Sequence, residues 1–438
     1  MIETRLLKNR DRYLNKLLGF RDSELVKVVT GIRRCGKSSL LKLAVARLKE
    51  SGVSSDQIVE MNFESFEFGK MTADDVYAYV KERVASGKRM YLFFDEIQRI
   101  DGWENAINAF RVDFNADVYV TGSNACLLSS EYSTYLSGRC VEIKMLPLSF
   151  REFLDFHDVE VRDVASVFGG VRKRAVDKDG EQYDLRELFG AYMRFGGMPG
   201  VANVGFDQEK ASALLDGIYS TVVVRDILER ENRRGRRQIT DPALLRKIIL
   251  FLADNIGSNV SVSSIGATLA NEGLLDGGRK GAPSANTVQA YVDALVESFF
   301  FYEIKRFDVK GKQLLRTLGK YYVVDIGLRN SLLDFRDRDR GHALENVVYF
   351  ELLRRGFDVA VGKVGDAEID FVATRADKKI YVQTTESMTS EDVRKRELAP
   401  LQKIRDSYEK IVLSLEPGLD DSYDGIKSLN VIEWLLDD

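Results

Sequence analysis

The segment from Gly31 to Ser38, GIRRCGKS, places two glycines, a lysine and a serine at the spacing G-x-x-x-x-G-K-[ST]. Glycines at these places let backbone N–H groups face phosphate oxygens, and the start of a following helix adds positive potential. Lys37 is expected to contact the β and γ phosphates of a nucleotide, and Ser38 to ligate Mg²⁺. The spacing predicts a loop that binds Mg-ATP, made of Gly31, Ile32, Arg33, Arg34, Cys35, Gly36, Lys37, Ser38 and Ser39.

Two acidic residues follow a hydrophobic run further along the chain. Met90 to Phe94 is typical of a buried strand, and Asp95 and Glu96 come directly after it. In nucleotide sites of this type the first acid holds Mg²⁺, and the second orients the water that attacks the γ phosphate. We therefore expect Ser38 and Asp95 to be metal ligands, and Glu96 and Lys37 to be catalytic.

Three further residues are candidates for the same site. Val118 to Val120 leads into small polar residues, of which Asn124, or else Ser123, is expected to sense the γ phosphate. The alternative for both is a capped strand–helix turn. Arg139 is expected either to neutralise transition-state charge, in cis or in a neighbouring subunit, or to be an exposed structural arginine.

The composition argues against several other chemistries. The 438 residues include 64 Lys and Arg, 68 Asp and Glu, two histidines and three cysteines. Two histidines nearly exclude a His-based triad or a multi-histidine metal site, and the cysteine number fits a reducing compartment. A charged N-terminal segment and the lack of any run of about 18 apolar residues favour a cytoplasmic protein with no membrane partner.

The arrangement of apolar runs predicts the fold around these residues. A valine-rich run precedes Gly31, a helical pattern follows Ser38, and further short apolar runs alternate with helix-length polar segments. Such alternation predicts a parallel sheet covered on both faces. After about residue 155 the pattern becomes mostly helical, with a polar insert at 172–182 and an Arg-rich stretch at 231–238.

The motifs together resemble a large prokaryotic family of AAA-type P-loop ATPases. The resemblance covers nearly the whole chain through GIRRCGKSSLL, FFDEIQRIDGWE, VTGSNACLLS, YLSGR, LPLSFREF, RFGGMPG, STVVVRDILER and KYYVVDIGLRN. It implies an AAA-type nucleotide fold and assigns the ATP roles to Gly31, Gly36, Lys37, Ser38, Asp95 and Glu96. A C-terminal domain of unknown function follows in that family.

We accordingly expect an α/β protein of several parts. They are an N-terminal arm (1–22), a parallel-sheet P-loop ATPase domain (23–155), a helical lid or linker (156–240), a winged helix-turn-helix (241–336) and a small restriction-endonuclease-like α/β domain (337–438).

The winged helix-turn-helix could meet DNA through its wing. Its third helix carries no Lys or Arg between Ser284 and Phe299, which is unfavourable for a polyanion. Basic residues follow it, so DNA contact would use Lys305, Arg306, Lys310 and Lys312. The alternative is a domain that packs against another domain, subunit or protein partner.

The last hundred residues resemble the restriction-endonuclease-like core, and that resemblance places Glu345, Asp370, Gln383 and Thr385 at its active positions. Gln383 stands where an acid is expected, and Thr385 where a lysine is expected. We therefore expect a domain that binds rather than cleaves. The first functional hypothesis is ATP hydrolysis that changes how the C-terminal half holds DNA or a protein. The alternatives are an ATP-gated nuclease and a nucleotide-sensing switch with little turnover.

Overall fold

The computed structural model describes residues 7–85, 87–125, 138–165, 171–229, 239–271, 283–309, 311, 313–336, 339–418 and 420–437. Contacts between Cα atoms divide the chain into two units. The first extends to Pro147 and includes Glu297–Phe299, and the second comprises Leu148–Val296 and Phe300–Asp438. None of the helices in the described ranges has both the length and the apolar character needed to cross a membrane.

The sheet of the first unit has five strands: β1 (Val26–Thr30), β2 (Ile58–Asn62), β3 (Met90–Asp95), β4 (Ala116–Gly122) and β5 (Cys140–Lys144). Their order is β2-β3-β4-β1-β5, and every neighbouring pair is parallel. All residues of β1 and β3 are buried, as expected for a parallel sheet covered on both faces. The predicted parallel α/β sheet is confirmed.

Four helices belong to this unit: α1 (Asp11–Leu18), α2 (Lys37–Glu50), α3 (Ala73–Lys81) and α4 (Trp103–Asp113). Short 3₁₀ turns occur at Ser55–Gln57 and Ile97–Arg99. Helix α2 buries the apolar stripe that its sequence predicts, which includes Leu40, Ala44 and Leu48. Helix α1 packs on α2 and β5, so the segment expected to be an N-terminal arm contributes a helix to this unit.

The strand order sets which strand ends meet. Strand β4 lies between β1 and β3, although β3 precedes it directly in the chain. The carboxyl ends of the three strands, at Thr30, Asp95 and Gly122, therefore share one edge of the sheet. The phosphate-loop sequence, the acidic pair and the small polar residues after β4 all begin at that edge.

The second unit begins with helix α5 (Phe150–Phe156) and a small antiparallel sheet of β6 (Val159–Ala165), β7 (Val171–Asp177) and β8 (Gln182–Tyr183). The expectation of a mostly helical segment with a polar insert is wrong for these strands. Val159 and Val161 stand two residues apart with a polar residue between them, which is the period of a strand. Asp177 then accepts the backbone N–H groups of Asp179 and Glu181 in the turn between β7 and β8.

Helices follow this sheet, as predicted. They are α6 (Leu185–Phe195), α7 (Pro199–Ala202) and α8 (Gln208–Thr221), with a π-helical continuation at Val222–Glu229.

The next segment comprises α9 (Pro242–Asp254), β9 (Asn259–Val260), α10 (Val262–Asn271), α11 (Ala285–Glu297), β10 (Phe301–Asp308), β11 (Gln313–Val323) and α12 (Ile326–Leu333). Strand β11 pairs antiparallel with both β9 and β10. One apolar face of α11, with Val288, Tyr291, Val292 and Leu295, is buried. The winged-helix interpretation stays a prediction.

The last segment comprises α13 (Arg340–Arg354), β12 (Asp358–Val364), β13 (Ala367–Arg375), β14 (Lys378–Ser387), α14 (Glu391–Gln402), β15 (Glu409–Glu416), β16 (Ser422–Tyr423), β17 (Ile426–Asn430) and α15 (Val431–Leu436). Its strands continue the preceding sheet, in the order β16-β17-β15-β14-β13-β12-β10-β11-β9. Strands β10 and β12 are paired in parallel from Arg306 to Asp308. One sheet therefore runs across the boundary expected at 336/337.

Candidate functional site

Gly31 and Gly36 shape the loop between β1 and α2. Their φ angles of +147° and +109° lie in the region that favours glycine. A Cβ atom on Gly31 would lie 2.1 Å from the carbonyl oxygen of Met145, just after β5. A side chain there would force the loop away from the sheet, so the first glycine is a steric requirement of this fold.

Lys37 begins α2 and is almost completely buried. Its Nζ donates hydrogen bonds to the carbonyl oxygens of Gly31 at 2.9 Å and Ile32 at 3.2 Å. The same Nζ lies 3.7 Å from Oε1 of Glu96. The lysine amine is thus held between the glycine loop and one acid of the pair that follows β3.

Asp95 lies at the end of β3, in hydrogen-bond contact with two hydroxyl groups. Thr121 Oγ1 is 2.5 Å from Asp95 Oδ1, and the Ser38 hydroxyl also bonds the carboxylate. Burial raises the pKa of Asp95, and the charge of Glu96 raises it further. The two hydroxyl hydrogen bonds lower this pKa, but they do not outweigh burial. The two predicted metal ligands, Ser38 and Asp95, are therefore adjacent.

Glu96 adopts a left-handed backbone conformation with φ of +56°. Its Oε2 accepts hydrogen bonds from Gln98 Nε2 at 2.6 Å and from Ser123 Oγ at 3.1 Å. Burial raises the pKa of Glu96, but the charges of Lys37 and Arg33, together with these two bonds, outweigh it and leave the pKa below its ordinary value. The carboxylate is held charged and oriented.

Ser123 and Asn124 follow the end of β4 and are both buried. The structure places the Ser123 hydroxyl on the Glu96 carboxylate. Both predicted sensor candidates are therefore at the same edge of the sheet as the glycine loop. Their role towards a γ phosphate stays a prediction.

Arg139 lies at the amino-terminal ends of the strands, opposite the end that carries the glycine loop. Its carbonyl oxygen accepts the N–H of Val26, where β1 begins, and its side chain is exposed. Strand β1 runs from Val26 to Thr30 before the glycine loop starts, which is roughly 13 Å of extended chain. The expectation that Arg139 neutralises transition-state charge in cis is therefore wrong, because parallel pairing of β5 with β1 puts it at the opposite end of the strands.

The other loop residues mostly shape or support the loop. Ile32 and Cys35 are buried, Ser39 is half-buried, and Arg34 is exposed with φ of +63°. Arg33 forms an ion pair with Glu64 at 2.8 Å. Burial also raises the pKa of the Cys35 thiol, so this cysteine packs as an apolar side chain.

Three residues that the sequence analysis did not select complete the site. The Thr121 hydroxyl contacts Asp95 and also accepts the backbone N–H of Glu96 at 2.9 Å. Gln98 orients Glu96. The buried guanidinium of Arg10 donates to the carbonyl oxygens of Cys35 and of Leu146. Thr121 and Gln98 lie next to selected motifs, but nothing in the sequence connects Arg10 with the loop.

Comparison with known proteins identifies the family of this chain. A family model described as an AAA domain matches residues 23–154, which contain the glycine loop, the acidic pair and the end of β4. An uncharacterized protein of Haemophilus influenzae is 38% identical over 431 residues, covering 98% of both chains. The chain belongs to the AAA-type P-loop ATPases.

Other similar proteins extend this comparison. A second model, described as a domain of unknown function, matches residues 186–339 of this AAA-type ATPase. An uncharacterized protein of Methanocaldococcus jannaschii is 28% identical over 362 residues, or 81% of this chain and 73% of that protein. A Walker-type ATPase of Pyrococcus abyssi has 16% identity and a TM-score of 0.47, covering 74% of this chain and 95% of its own.

The basic residues expected on the wing of the AAA-type ATPase have different environments. Lys305 is exposed on β10. Arg306 has 14% of its side chain exposed and forms an ion pair with Glu368 at 3.7 Å. The sheet continues past it, because Arg306 pairs with Val361 of β12. Its contact with DNA stays a prediction. Lys310 and Lys312 lie outside the described residues.

The nuclease-like positions of the ATPase come together in part. Asp370 accepts hydrogen bonds from the backbone and hydroxyl of Thr384, at 2.8 and 2.7 Å, and from Gln383 Nε2 at 3.3 Å. Burial and the charge of Glu345 raise the pKa of Asp370 to about 7. The Thr385 hydroxyl donates to the carbonyl oxygen of Ser387 and not to Asp370. Among the described residues, no group of three or more acidic, His or Cys side chains is arranged to hold a metal.

Lys320, which was not among the predicted residues, lies between Glu345 and Glu368. Lys320 of β11 is 2.9 Å from Oε1 of Glu345 and 2.9 Å from Oε1 of Glu368. Burial lowers the pKa of Lys320, but the charges of Glu345, Asp370 and Glu368 outweigh it and raise that pKa. The ammonium group therefore neutralises the acids that would otherwise attract a divalent cation.

Proposed function

We propose that this AAA-type ATPase hydrolyses Mg-ATP at the edge of the five-stranded sheet, with Glu96 as the residue that orients the attacking water. The observation that carries the proposal is the position of the Glu96 carboxylate. Ser123 and Gln98 hold its Oε2, and its Oε1 lies 3.7 Å from Lys37. A carboxylate placed beside the phosphate-binding lysine is suited to act on water at the γ phosphate.

The loop residues would bind the phosphates. Gly31 and Gly36 let the backbone between them approach a phosphate closely, and the N-terminus of α2 adds positive potential. Lys37, which donates to loop carbonyl oxygens, would exchange those bonds for bonds to the β and γ phosphates. The arrangement binds the polyphosphate chain and fixes the terminal group towards Glu96.

Ser38 and Asp95 fit a hard divalent cation, because both offer oxygen and their side chains are in contact. Mg²⁺ held there would neutralise charge on the β and γ phosphates. The Thr121 hydroxyl, at the end of β4, donates a hydrogen bond to the Asp95 carboxylate. The same hydroxyl accepts a hydrogen bond from the backbone N–H of Glu96. A single hydroxyl thus positions both acids.

Glu96 has the protonation state that its role requires. Its lowered pKa keeps the carboxylate charged at neutral pH, so it can accept a hydrogen bond, and then a proton, from water. Ser123 and Gln98 occupy one oxygen, which leaves the other to face the reacting group. Neither of these neighbours can take the proton in place of Glu96.

We extend the proposal to a conformational change that alters how the second unit holds a partner, which is DNA or a protein. The exposure of Lys305 supports DNA as the partner, since a surface lysine can contact phosphate. The ATP-gated nuclease is less well supported, because Lys320 neutralises Glu345 and Glu368. A switch with little turnover would have no use for an oriented Glu96.

Two measurements test the proposal. Phosphate release from ATP should be faster with Mg²⁺ than with EDTA. If the parent protein released phosphate no faster than Glu96→Gln, the nucleotide-sensing switch with little turnover would be favoured. Electrophoretic mobility shift on duplex and single-stranded DNA, with ATP, ADP or neither, tests the partner. Lys305→Ala should weaken binding for all sequences and reduce the salt slope by about one unit. Lack of DNA binding at low salt in every nucleotide state would leave a protein partner.

A further inference from the structure

An open cavity of about 590 Å³ lies within the second unit. Its wall is formed by one face of α6, the start of α13, the residues around α12, and the ends of β14 and β15. The volume is within the range of about 300–1,000 Å³ that is typical of small-ligand sites. The five-stranded sheet and its glycine loop belong to the first unit, so this cavity is separate from the ATP site.

The wall of the cavity carries more basic than acidic side chains. Five arginines line it against two acids, Glu386 and Glu416. Three of the arginines have polar partners: Arg329 pairs with Asp339, Arg336 with Asp254, and Arg194 donates to Gln208. Arg186 and Arg340 are exposed, and their guanidinium groups have no hydrogen bond or ion pair to any residue in the described ranges, although the backbone N–H of Arg186 donates to Asp184. Two guanidinium groups are therefore free to bind an anion.

Aromatic side chains also line the cavity. Phe189 and Phe195 are buried, whereas Phe335 is 43% exposed. An exposed phenyl ring that lines the same cavity as the free guanidinium groups offers a stacking surface for a flat ring. Stacking on an aromatic side chain contributes about 1–3 kcal/mol for a nucleic-acid base. Phosphate groups in turn match the paired N–H donors of arginine.

We infer that this cavity binds a nucleoside phosphate, with the phosphate on Arg186 and Arg340 and the base on Phe335. The ligand is either a free mononucleotide or the phosphorylated end of a single strand, since both present the same base and phosphate. The two glutamates on the wall disfavour a long polyanion along the whole cavity and favour one nucleotide. The inference does not depend on ATP hydrolysis by the first unit.

Binding should be measured in the Lys37→Ala background, so that the glycine loop takes no nucleotide. The probes are dTMP, thymidine, tripolyphosphate, and an oligo(dT) with and without a 5′ phosphate. We expect dTMP to bind at least about tenfold more tightly than thymidine, because charge-assisted hydrogen bonds to phosphate contribute most of the affinity. Tighter binding of the phosphorylated oligomer than of dTMP identifies a strand end, and equal binding identifies a free nucleotide.

Variants assign the binding to the cavity. Arg186→Gln with Arg340→Gln should weaken dTMP binding by about tenfold or more, and Arg186→Lys with Arg340→Lys should retain part of it. Phe335→Leu should weaken dTMP binding but not tripolyphosphate binding. Arg162→Gln, which removes an exposed arginine outside the cavity, is the matched control.

Three results would overturn the inference. The first is no binding of dTMP or of the phosphorylated oligomer at about 1 mM, where even a weak site is detected. The second is parental affinity in a folded Arg186→Gln, Arg340→Gln protein. The third is equal affinity for dTMP and tripolyphosphate that Phe335→Leu leaves unchanged, since that would show an anion site without base recognition.

Discussion

The hydroxyl of Thr121 lies 2.5 Å from the carboxylate of Asp95, although the two residues are on different strands and 26 positions apart. The same hydroxyl accepts the backbone N–H of Glu96. The end of β4 therefore positions both acids that follow β3. This contact exists because β4 lies between the strand before the glycine loop and the strand before the acidic pair.

Thr121→Val should slow ATP hydrolysis by about tenfold or more, because the isosteric change leaves the Asp95 carboxylate and the Glu96 N–H without their buried partner. Thr121→Ser keeps the hydroxyl and should retain most activity. Steady-state phosphate release measures both. Equal loss in the two variants would mean that the methyl group matters and the hydroxyl does not.

Lys37→Ala should abolish ATP binding, because we propose that its amine contacts the β and γ phosphates. Glu96→Gln should keep binding and slow hydrolysis by about a hundredfold or more, since the amide cannot accept the proton of the attacking water. A fluorescent ATP analogue reports binding, and single-turnover assays report chemistry. Hydrolysis by Glu96→Gln at the parental rate would rule out Glu96 as the water-orienting base.

Arg10→Met should weaken ATP binding and lower the stability of the first unit. The guanidinium donates to Cys35 in the loop and to Leu146 and Pro147 after β5, and each buried carbonyl oxygen left unpaired costs about 1–3 kcal/mol. Arg10→Lys should restore part of both losses. Thermal unfolding with and without ATP is the measurement. Lower stability with parental ATP affinity would show that the contact supports the fold without affecting the loop.

The C-terminal domain should not cleave plasmid, linear duplex, single-stranded DNA or RNA with any divalent metal, in any nucleotide state. Thr385 supplies no positive charge, and the amine of Lys320 is bound by Glu345 and Glu368. Agarose-gel cleavage assays with Mg²⁺ and Mn²⁺ are the test. Cleavage that disappears in Asp370→Ala while ATP turnover persists would make the nuclease hypothesis the first one.

Asp325 should make stability depend on pH. Burial raises its pKa to about 6, against the N–H donors of Gly197 and Leu328. An acid with a raised folded pKa favours folding below its unfolded pKa of 3.8, and this contribution is lost as pH rises towards about 6. The parent should therefore lose about 3 kcal/mol relative to Asp325→Asn across that window.

Urea unfolding of parent and Asp325→Asn, from about pH 4 to about pH 7, measures this difference. The same measurement on Asp216→Asn, at an exposed aspartate of α8, is the control. A constant difference between parent and Asp325→Asn would place the pKa of Asp325 near its ordinary value.

The sequence by itself determined the chemistry of the first unit. The loop from Gly31 to Ser38 must follow a strand and precede a helix for its backbone to face phosphate, and Asp95 and Glu96 must end a buried strand. Both requirements are local, so spacing and hydrophobic pattern were enough to predict the parallel sheet and to select the residues at its edge.

The tertiary structure decided what depends on pairing between distant segments. Parallel pairing of β1 and β5 put Arg139 at the end of the strands opposite the glycine loop. Pairing of β10 with β12 extended the second sheet past Arg306, which forms an ion pair with Glu368. Packing of α13 on β11 brought Glu345 to Lys320. Strand order and register arise from the packing of the whole sheet, and residue spacing within one segment does not encode which distant strand will lie beside it.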